Sequence, residues 1–465
     1  MKRKPLVMAL LGLGFGMMTS VQAADKTDRI AQLEAQLKAL QEEVAALKKS
    51  SSAEITQVKD QVAAQGKEAV VIGDIPNSYR LAGTDTSMRV YGIAEMNLVH
   101  ETKGTNAGND YSTFMPYAPL NGTADGNRKG QTYLHARTSR FGIEGATPTR
   151  YGLLSAKVEG DFNNDPRTGN SAVYGSLGNI YTQQATNSYN FRLRHAYLQM
   201  GPWLFGQTWS TFMDIDNTPE TVDFNGAIGS TFIRQPQIRY TYTTPTAGNF
   251  SGAIENSVSY VLDDKGAATT AGFSKVPDFV GRWDKSFQWG SVGVRAVSHE
   301  HRIDDGAGVS ASRRGTGLAA SGQIKTVGDD FISWIVAGGT GIGRYFNYVE
   351  GAAYDPVANR ILMEKALGVV VGYQHKVSGS LRFNFVYGTQ RNYDNEYTTF
   401  ARANGFAGGQ YGVNRRVSQL HIGGIWNPVK PVEIGAEWVF GRRETLLGEK
   451  GNMSRLNLLA RYYFN

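Results

Sequence analysis

Apolar and polar side chains alternate along the C-terminal segment of the chain, residues 454–465. One face of an extended strand is apolar there: Leu456, Leu458, Ala460, Tyr462 and Phe464. The opposite face carries Arg455, Asn457 and Arg461. Successive side chains of a strand point to opposite sides, so the two sets face two different environments.

This period of two continues from residue 87 to the C-terminus. It defines about 16 segments, from 87–101 to 451–464, of the length that a tilted membrane-spanning strand needs. The links are short after every second segment, as at 147–150, and mostly long elsewhere, as at 102–130. Short turns at one end and long loops at the other are typical of a membrane barrel.

The fold class follows from this pattern. We predict an all-β transmembrane barrel of ~16 antiparallel strands over residues 87–465, with both ends on the periplasmic side. In lipid every backbone polar group must be paired, and a closed barrel meets this condition. The apolar faces then contact lipid, and the arginine-bearing faces line a watery lumen.

Residues 24–67 have a different period. Apolar residues recur at steps of three and four: Ile30, Leu33, Leu37, Leu40, Val44 and Leu47. The repeat resumes four residues late at Ile55, which is a stutter in a heptad seam. We predict an N-terminal α-helical coiled coil and therefore an oligomer. The alternative is an amphipathic helix packed on the next domain. Residues 68–86, with Gly73 and Pro76, are predicted to be a linker.

The first residues indicate export. Lys2, Arg3 and Lys4 precede the apolar stretch 6–18, and the small residues of "SVQAAD" follow. We predict a signal peptide over 1–23, and hence an outer-membrane barrel whose coiled coil lies in the periplasm.

Composition excludes other classes. The chain has no cysteine, so it has no disulfide and no cysteine-based metal site. A formal charge of +7, part of it in the signal, gives no reason to expect a nucleic-acid partner. After the signal no run approaches ~18 apolar residues, so no transmembrane helix is predicted.

Four segments resemble the DcaP-like porins: "HARTSRFGIEGATPT" (135–149), "FRLRHAYLQMGPWLFGQTWSTFMDID" (191–216), "PETVDFNG" (219–226) and "GIGRYFN" (341–347). The resemblance covers nearly the whole mature chain. It implies a homotrimer in outer-membrane lipids, with an N-terminal coiled coil. It also implies diffusion of small anionic solutes, dicarboxylates in particular. One departure is Asn465, because outer-membrane strands usually finish on an aromatic residue.

Eight arginines fall opposite the apolar stripes and are the predicted lining of the lumen: Arg140, Arg192, Arg194, Arg239, Arg282, Arg382, Arg455 and Arg461. Rings of arginine favour anions, and a guanidinium can hold a carboxylate with two hydrogen bonds. Individual arginines can instead pair with lumen acids such as Glu159, Asp161 and Asp284. If Arg140 faces the lumen, strict alternation turns Arg137 outward.

The segment 212–232 carries the opposite charge: Asp214, Asp216, Glu220 and Asp223. In the resembled porins the loop in this place folds inward and narrows the pore. Acids on such a loop, facing arginines on the wall, would set up a field across the constriction. The alternative is a solvated extracellular loop. Trp209 and Phe212 are interpreted as packing residues, although a carbohydrate porin stays open as a second possibility.

Other functions have weaker support. His299 and His301 share one strand face, but no third metal ligand lies near them in the sequence. "GGTGIG" (338–343) lacks the Lys-Ser/Thr ending of a phosphate loop. We therefore predict a non-enzymatic porin without cofactor or metal. One alternative is a structural barrel whose coiled coil links the outer membrane to the periplasm. Another is a barrel enzyme, which would need a sharply defined catalytic group.

Overall fold

A computed structural model describes residues 26–68, 71–106, 112–163, 189–346 and 349–464. The chain divides into a unit that ends at Val70 and a unit that begins at Val71. The predicted signal peptide, 1–23, lies outside the described residues.

The first unit contains one helix, α1 (Lys26–Glu68). Leu37, Leu40 and Leu47 of the heptad seam are uncovered in the single chain, each about 60% exposed. In a coiled coil, the seam of a second helix would cover these side chains. The structure describes one chain, so the coiled coil stays a prediction. Among the described helices, none combines the length and the apolar character needed to span a membrane.

The second unit is a closed antiparallel barrel, which confirms the predicted fold class. Its strands are β3 (Ser87–Lys103), β4 (Gln131–His135), β5 (Arg140–Thr149), β6 (Gly152–Asp161), β7 (Arg192–Met200), β8 (Trp203–Trp209), β9 (Arg234–Thr244), β10 (Gly248–Glu255), β11 (Asp278–Phe287), β12 (Gly290–Asp304), β13 (Ser310–Lys325), β14 (Phe331–Thr340), β17 (Lys365–Lys376), β18 (Leu381–Asn392), β19 (Asn414–Trp426), β20 (Val432–Thr445) and β21 (Lys450–Phe464). β4 and β5 both pair with β3 and form one barrel strand, so the barrel has 16 strands. Pairing of β21 with β3 closes it.

The shorter elements lie before the barrel and in its loops. They are β1 (Val71–Ile72), β2 (Tyr79–Arg80), α2 (Ala124–Asn127), β15 (Ala352–Asp355), β16 (Arg360–Met363) and α3 (Glu396–Ala403). β1 pairs with β2, and β2 pairs with the start of β3. Part of the segment 68–86 is thus hydrogen-bonded to the barrel sheet.

Burial along β21 alternates with the predicted period. Leu458, Ala460 and Tyr462 are exposed on the outer face, whereas Arg455 and Asn457 are buried on the inner face. Exposed apolar side chains cover the outside of the other strands in the same way. A continuous apolar outer surface on a closed barrel is what contact with lipid requires.

The prediction for Arg137 was wrong. Its side chain is only 1% exposed, so it does not stand on the outer face. The alternation breaks because the chain leaves the sheet between β4 and β5, in a turn closed by Ser139 N–H donating to the Ala136 carbonyl at 3.0 Å. Arg137 and Arg140 belong to different strands, and their spacing of three no longer fixes their relative direction.

Loops at one end of the barrel pack on each other and form an apolar cluster. It joins Leu262, Ala353, Leu362, Tyr397, Ala401, Ala407, Val413 and Leu446. These residues come from the connections after β10, β14, β18 and β20. The long loops therefore cover part of this mouth of the barrel as one packed layer.

Glu364 gives this layer a pH dependence that can be measured. Burial raises the pKa of its carboxyl to about 8, and the Gly351 N–H donates to Oε2 at 2.9 Å. In the unfolded loop the pKa returns to its ordinary value of 4.5, so the packed loop binds the proton more tightly. The stability of the packing is full below that ordinary value and falls as pH rises towards about 8.

We expect amide hydrogen exchange of residues 349–364, corrected for the intrinsic rate, to accelerate between about pH 5 and about pH 8. Glu364→Gln removes this titrating group and should weaken the pH dependence of protection over this range. The part that remains is assigned to Glu350, whose pKa burial also raises. A wild-type profile that is flat, or that gains protection with pH, would contradict this account.

Candidate functional site

The connection between β8 and β9, residues 210–233 and here called the inner loop, enters the barrel. It begins against the wall of β10–β12, where Phe212 is fully buried with Ala253, Val280 and Val297. It then contacts inward-facing side chains from β11 to β21, as the following ion pairs show. The inner loop therefore occupies one side of the lumen.

Asp214 makes the first contact between the inner loop and the wall. Its carboxylate lies 3.5 Å from Arg282 on β11 and 3.5 Å from Arg295 on β12, and it accepts a hydrogen bond from Ser321. Burial alone would raise the pKa of Asp214, but the two guanidinium groups outweigh it and hold the pKa below its ordinary value. Asp216, two residues on, is exposed, and its carbonyl accepts from Gln323 at 2.9 Å.

Glu220 makes the second contact. Arg382 on β18 donates to both of its carboxylate oxygens, at 2.7 Å each. Arg382 also donates to Glu433 on β20 at 2.7 Å. The bidentate geometry is the strong form of an arginine–carboxylate pair, so it fixes the loop against β18.

Asp223 makes the third contact. Its carboxylate pairs with Arg455 on β21, a side chain that is 2% exposed. The backbone N–H groups of Val222 and Asp223 both donate to Glu437 on β20, at 3.0 Å each. Three of the four predicted loop acids are thus direct partners of wall arginines rather than charges that face them across a gap.

Glycines of the wall let the loop backbone come close. A Cβ atom built on Gly388 of β18 would lie 2.2 Å from the Ile228 carbonyl oxygen. The same atom on Gly368 of β17 would lie 2.3 Å from the Gly229 carbonyl oxygen. Both distances are far below van der Waals contact, so these two strands seat the loop because they lack side chains there.

The other predicted arginines lie on β5, β7 and β9 of the opposite wall, and on β11 and β21. Arg192 donates to both oxygens of Asp161, at 2.9 and 2.8 Å, and Arg194 donates to Glu159 at 2.7 Å and to Asp161 at 2.8 Å. Arg461 donates to Glu95 at 2.6 Å and to Glu433 at 3.1 Å, and Arg282 pairs with Asp284 as well as with Asp214. These arginines are held by acids of the wall.

Arg140 and Arg239 differ from the other six. Both point inward, because their cross-strand partners Asp161 and Ala253 are buried on the inner face. Both side chains are partly exposed, and in the described part of the chain neither has a carboxylate within ion-pair distance. They are cations that a solute inside the barrel can reach.

A family model described as DcaP outer membrane protein matches residues 79–464. The chain belongs to this family. The crystal structure of the outer membrane channel DcaP of Acinetobacter baumannii shares the fold, with a TM-score of 0.66 and 24% identity over 82% of this chain and 97% of that chain. OmpF of Salmonella typhi, in complex with daunomycin, has a TM-score of 0.50 and 13% identity over 82% and 98%. A comparison with the curated proteins finds no match.

This DcaP-family protein is an outer-membrane channel of the porin type. An anion-selective porin from Comamonas acidovorans is also similar, at a TM-score of 0.47 and 15% identity over 82% of this chain and 100% of that chain. The recognition drawn from segments 135–149, 191–216, 219–226 and 341–347 is confirmed.

Two arginines of this DcaP-family barrel were missed by the sequence analysis. Arg295 pairs with Asp214, and its alternation with Val294 and Ala296 on β12 was the signal that could have revealed it. Arg234 begins β9, and its guanidinium carbon lies 3.5 Å from the ring centroid of Trp209. Its position at a strand end gave no alternation to interpret.

The two neighbouring histidines are part of the packing beneath the loops. His299 Nδ1 lies 2.8 Å from Asp278 Oδ1, and His301 Nε2 lies 2.7 Å from the Gly341 carbonyl oxygen. Their rings are 4.6 Å apart and nearly perpendicular. Within the described ranges no three side chains are grouped as a metal site requires.

Proposed function

We propose that the protein is a passive diffusion channel that prefers small anionic solutes, dicarboxylates in particular. The observation that carries this proposal is the pair Arg140 and Arg239, which face the lumen without acidic partners among the described residues. Cationic side chains inside a pore lower the free energy of an anion there, and the absence of a neutralising acid leaves their field available.

The neighbours of Arg140 support the choice of a dianion. Arg140 and Arg194 are close enough to repel each other electrostatically. Arg192 and Arg194 share Asp161, and Arg194 also pairs with Glu159. This part of the wall therefore carries more cations than carboxylates. A solute with two carboxylates can contact more than one cation, and weak contacts at several sites let it leave again.

The inner loop is proposed to set the width of the passage. Because Asp214, Glu220 and Asp223 hold it against β11–β21, the passage runs along β3–β9, where Arg140 lies. We also propose that the barrel forms a homotrimer, that the long-loop end faces outward, and that α1 forms a coiled coil in the periplasm after removal of residues 1–23.

The reversal potential across a KCl gradient in a planar bilayer tests the proposal. We expect the wild-type channel to prefer chloride, and succinate to reduce the KCl conductance. Arg140→Gln/Arg239→Gln should lower the anion-to-cation permeability ratio by roughly fivefold or more, because a unit charge at ~4 Å in water contributes ~1 kcal/mol.

Arg391→Gln/Arg416→Gln is the matched control, since it removes two exposed arginines from the outer face of the barrel. Its permeability ratio should equal that of the wild type. Cation preference of the wild type would refute the proposal, because the acids would then dominate the passage. A folded protein that conducts nothing would favour the structural alternative.

A further inference from the structure

The outer face of four adjacent strands, β17 to β20, has an unequal distribution of charge. All its lysines and arginines lie at the end that carries the long loops: Lys365, Arg391, Arg416 and Arg442. They are exposed, and in the described part of the chain none has a carboxylate within ion-pair distance. We call these four residues the rim cluster.

Two members of the rim cluster stand directly opposite each other. Arg391 on β18 and Arg416 on β19 are cross-strand partners on the same outer face. Side chains in such a pair lie about 5 Å apart at Cβ, and like charges at this separation are destabilising. Glu444 is the other cross-strand partner of Arg416 and is also paired with Lys450, but no ion pair forms between Glu444 and Arg416 among the described contacts.

The surface next to the rim cluster is apolar. Tyr387 and Phe440 both pair across the sheet with Leu420, and all three are exposed on the outer face. The backbones of Arg391 and Arg416 lie four residues further along their strands, roughly 13 Å beyond this surface. The Arg416 guanidinium reaches back and donates to the Tyr387 hydroxyl at 3.4 Å. If the apolar surface is in hydrocarbon, the rim cluster is at the level of the lipid headgroups.

We propose that the rim cluster binds a phosphorylated lipid of the outer leaflet. The phosphate groups would lie between Arg391 and Arg416, which relieves their repulsion, while the acyl chains would pack on Tyr387, Leu420 and Phe440. Guanidinium groups bind phosphate with two hydrogen bonds. The acyl chains of a lipid can also contact the apolar surface beside the rim cluster, whereas a free anion has no acyl chain to do so. The inference goes beyond solute passage and rests on the proposed orientation of the barrel.

The confinement of these cations to one end of the strands supports a lipid of one leaflet. At the turn end, the outer face of the same strands carries apolar and aromatic residues such as Phe383, Trp426 and Ile434. A general need for charge at both membrane surfaces would place lysines and arginines on the outer face at both ends of these strands. The lysines at the turn end, Lys376 and Lys430, are in the turns or on the other face. The asymmetry fits a membrane whose phosphate groups differ between its two sides.

Native mass spectrometry of the full-length protein in mild detergent tests the site. The probes are bisphosphorylated lipid A, lipid A freed of its phosphates, and inorganic phosphate as competitor. We expect lipid A to bind the wild type. The variant Arg391→Gln/Arg416→Gln/Arg442→Gln should bind it on the order of 100-fold more weakly, because each cation near a membrane surface contributes roughly fivefold.

The control variant removes the same charge from the turn end, where Arg150, Lys376 and Lys430 are exposed. Arg150→Gln/Lys376→Gln/Lys430→Gln should bind lipid A like the wild type. A second variant, Arg391→Lys/Arg416→Lys/Arg442→Lys, keeps the charges and should retain most of the affinity, which separates loss of charge from misfolding. Dephosphorylated lipid A should bind every variant weakly.

Three results would overturn the proposal. The first is equal lipid A binding by the glutamine variant and the wild type. The second is displacement of lipid A by inorganic phosphate at matched concentration, which would indicate a site for free anions. The third is dissociation of only the glutamine variant into monomers, which would make this face a subunit interface. Because the rim cluster is outside the lumen, an unchanged reversal potential of the variant separates this test from that of the channel.

Discussion

Gly388→Val is expected to displace the inner loop from the wall towards the lumen and to lower the single-channel conductance. The new Cβ would meet the Ile228 carbonyl oxygen at 2.2 Å, and the strand cannot retreat because β18 is hydrogen-bonded to β17 and β19. Overpacking of this kind costs about 1–3 kcal/mol. The loop can avoid this cost by moving towards the lumen, because the ion pairs of Asp214, Glu220 and Asp223 keep it inside the barrel. The conductance of the wild type and of the variant in planar bilayers checks the prediction.

Gly281→Val provides the matched control. Gly281 is in the middle of β11, and nothing lies within 4 Å of the position that its Cβ would take. Its conductance should equal that of the wild type. If Gly388→Val folds and conducts like the wild type, the contact between β18 and the inner loop does not limit the passage.

Asp214→Ala is expected to have the largest effect on stability. The substitution leaves Arg282 with Asp284 alone and removes the carboxylate beside Arg295, whose side chain is fully buried. Removing one partner of a buried ion pair costs about 3–5 kcal/mol, because the remaining charge stays out of water without compensation. We expect a lower denaturant midpoint and greater protease sensitivity within residues 210–233.

Asp216→Asn tests whether this effect is specific. Asp216 belongs to the same loop but is exposed, and the contact to Gln323 comes from its backbone carbonyl. Its stability and protease pattern should match those of the wild type. Equal losses in both variants would mean that the negative charge of the loop matters generally, and not the buried pair.

The architecture could be predicted because lipid outside and water inside impose alternation on every strand. The predicted first and last strands, 87–101 and 451–464, agree with β3 and β21 to within a few residues. The prediction failed at Arg137, where the chain leaves the sheet for a short turn. The alternation of side chains shows which way a residue points only where the backbone stays hydrogen-bonded in the sheet.

The partners of the candidate site residues could not be predicted from the sequence. Glu220 and Arg382 are 162 positions apart, and Asp223 and Arg455 are 232 positions apart. These pairs form because the inner loop crosses the lumen and reaches distant strands. Which residues it meets depends on the register and shear of the barrel, and all the strands together set these. The sequence distinguishes an inward arginine from an outward one, but it does not distinguish Arg382, held by Glu220, from Arg140, which has no such acid.

Closure of the barrel by β3 and β21 has a consequence for biogenesis. Glu95 and Arg461, which join these strands, are 366 positions apart, so the seam cannot form before nearly the whole chain has been synthesised and exported. Until then both terminal strands are open edges of the kind that template aggregation. While the chain crosses the periplasm, these edges are available for pairing with other chains, and deletion of β21 should leave β3 as a permanently open edge.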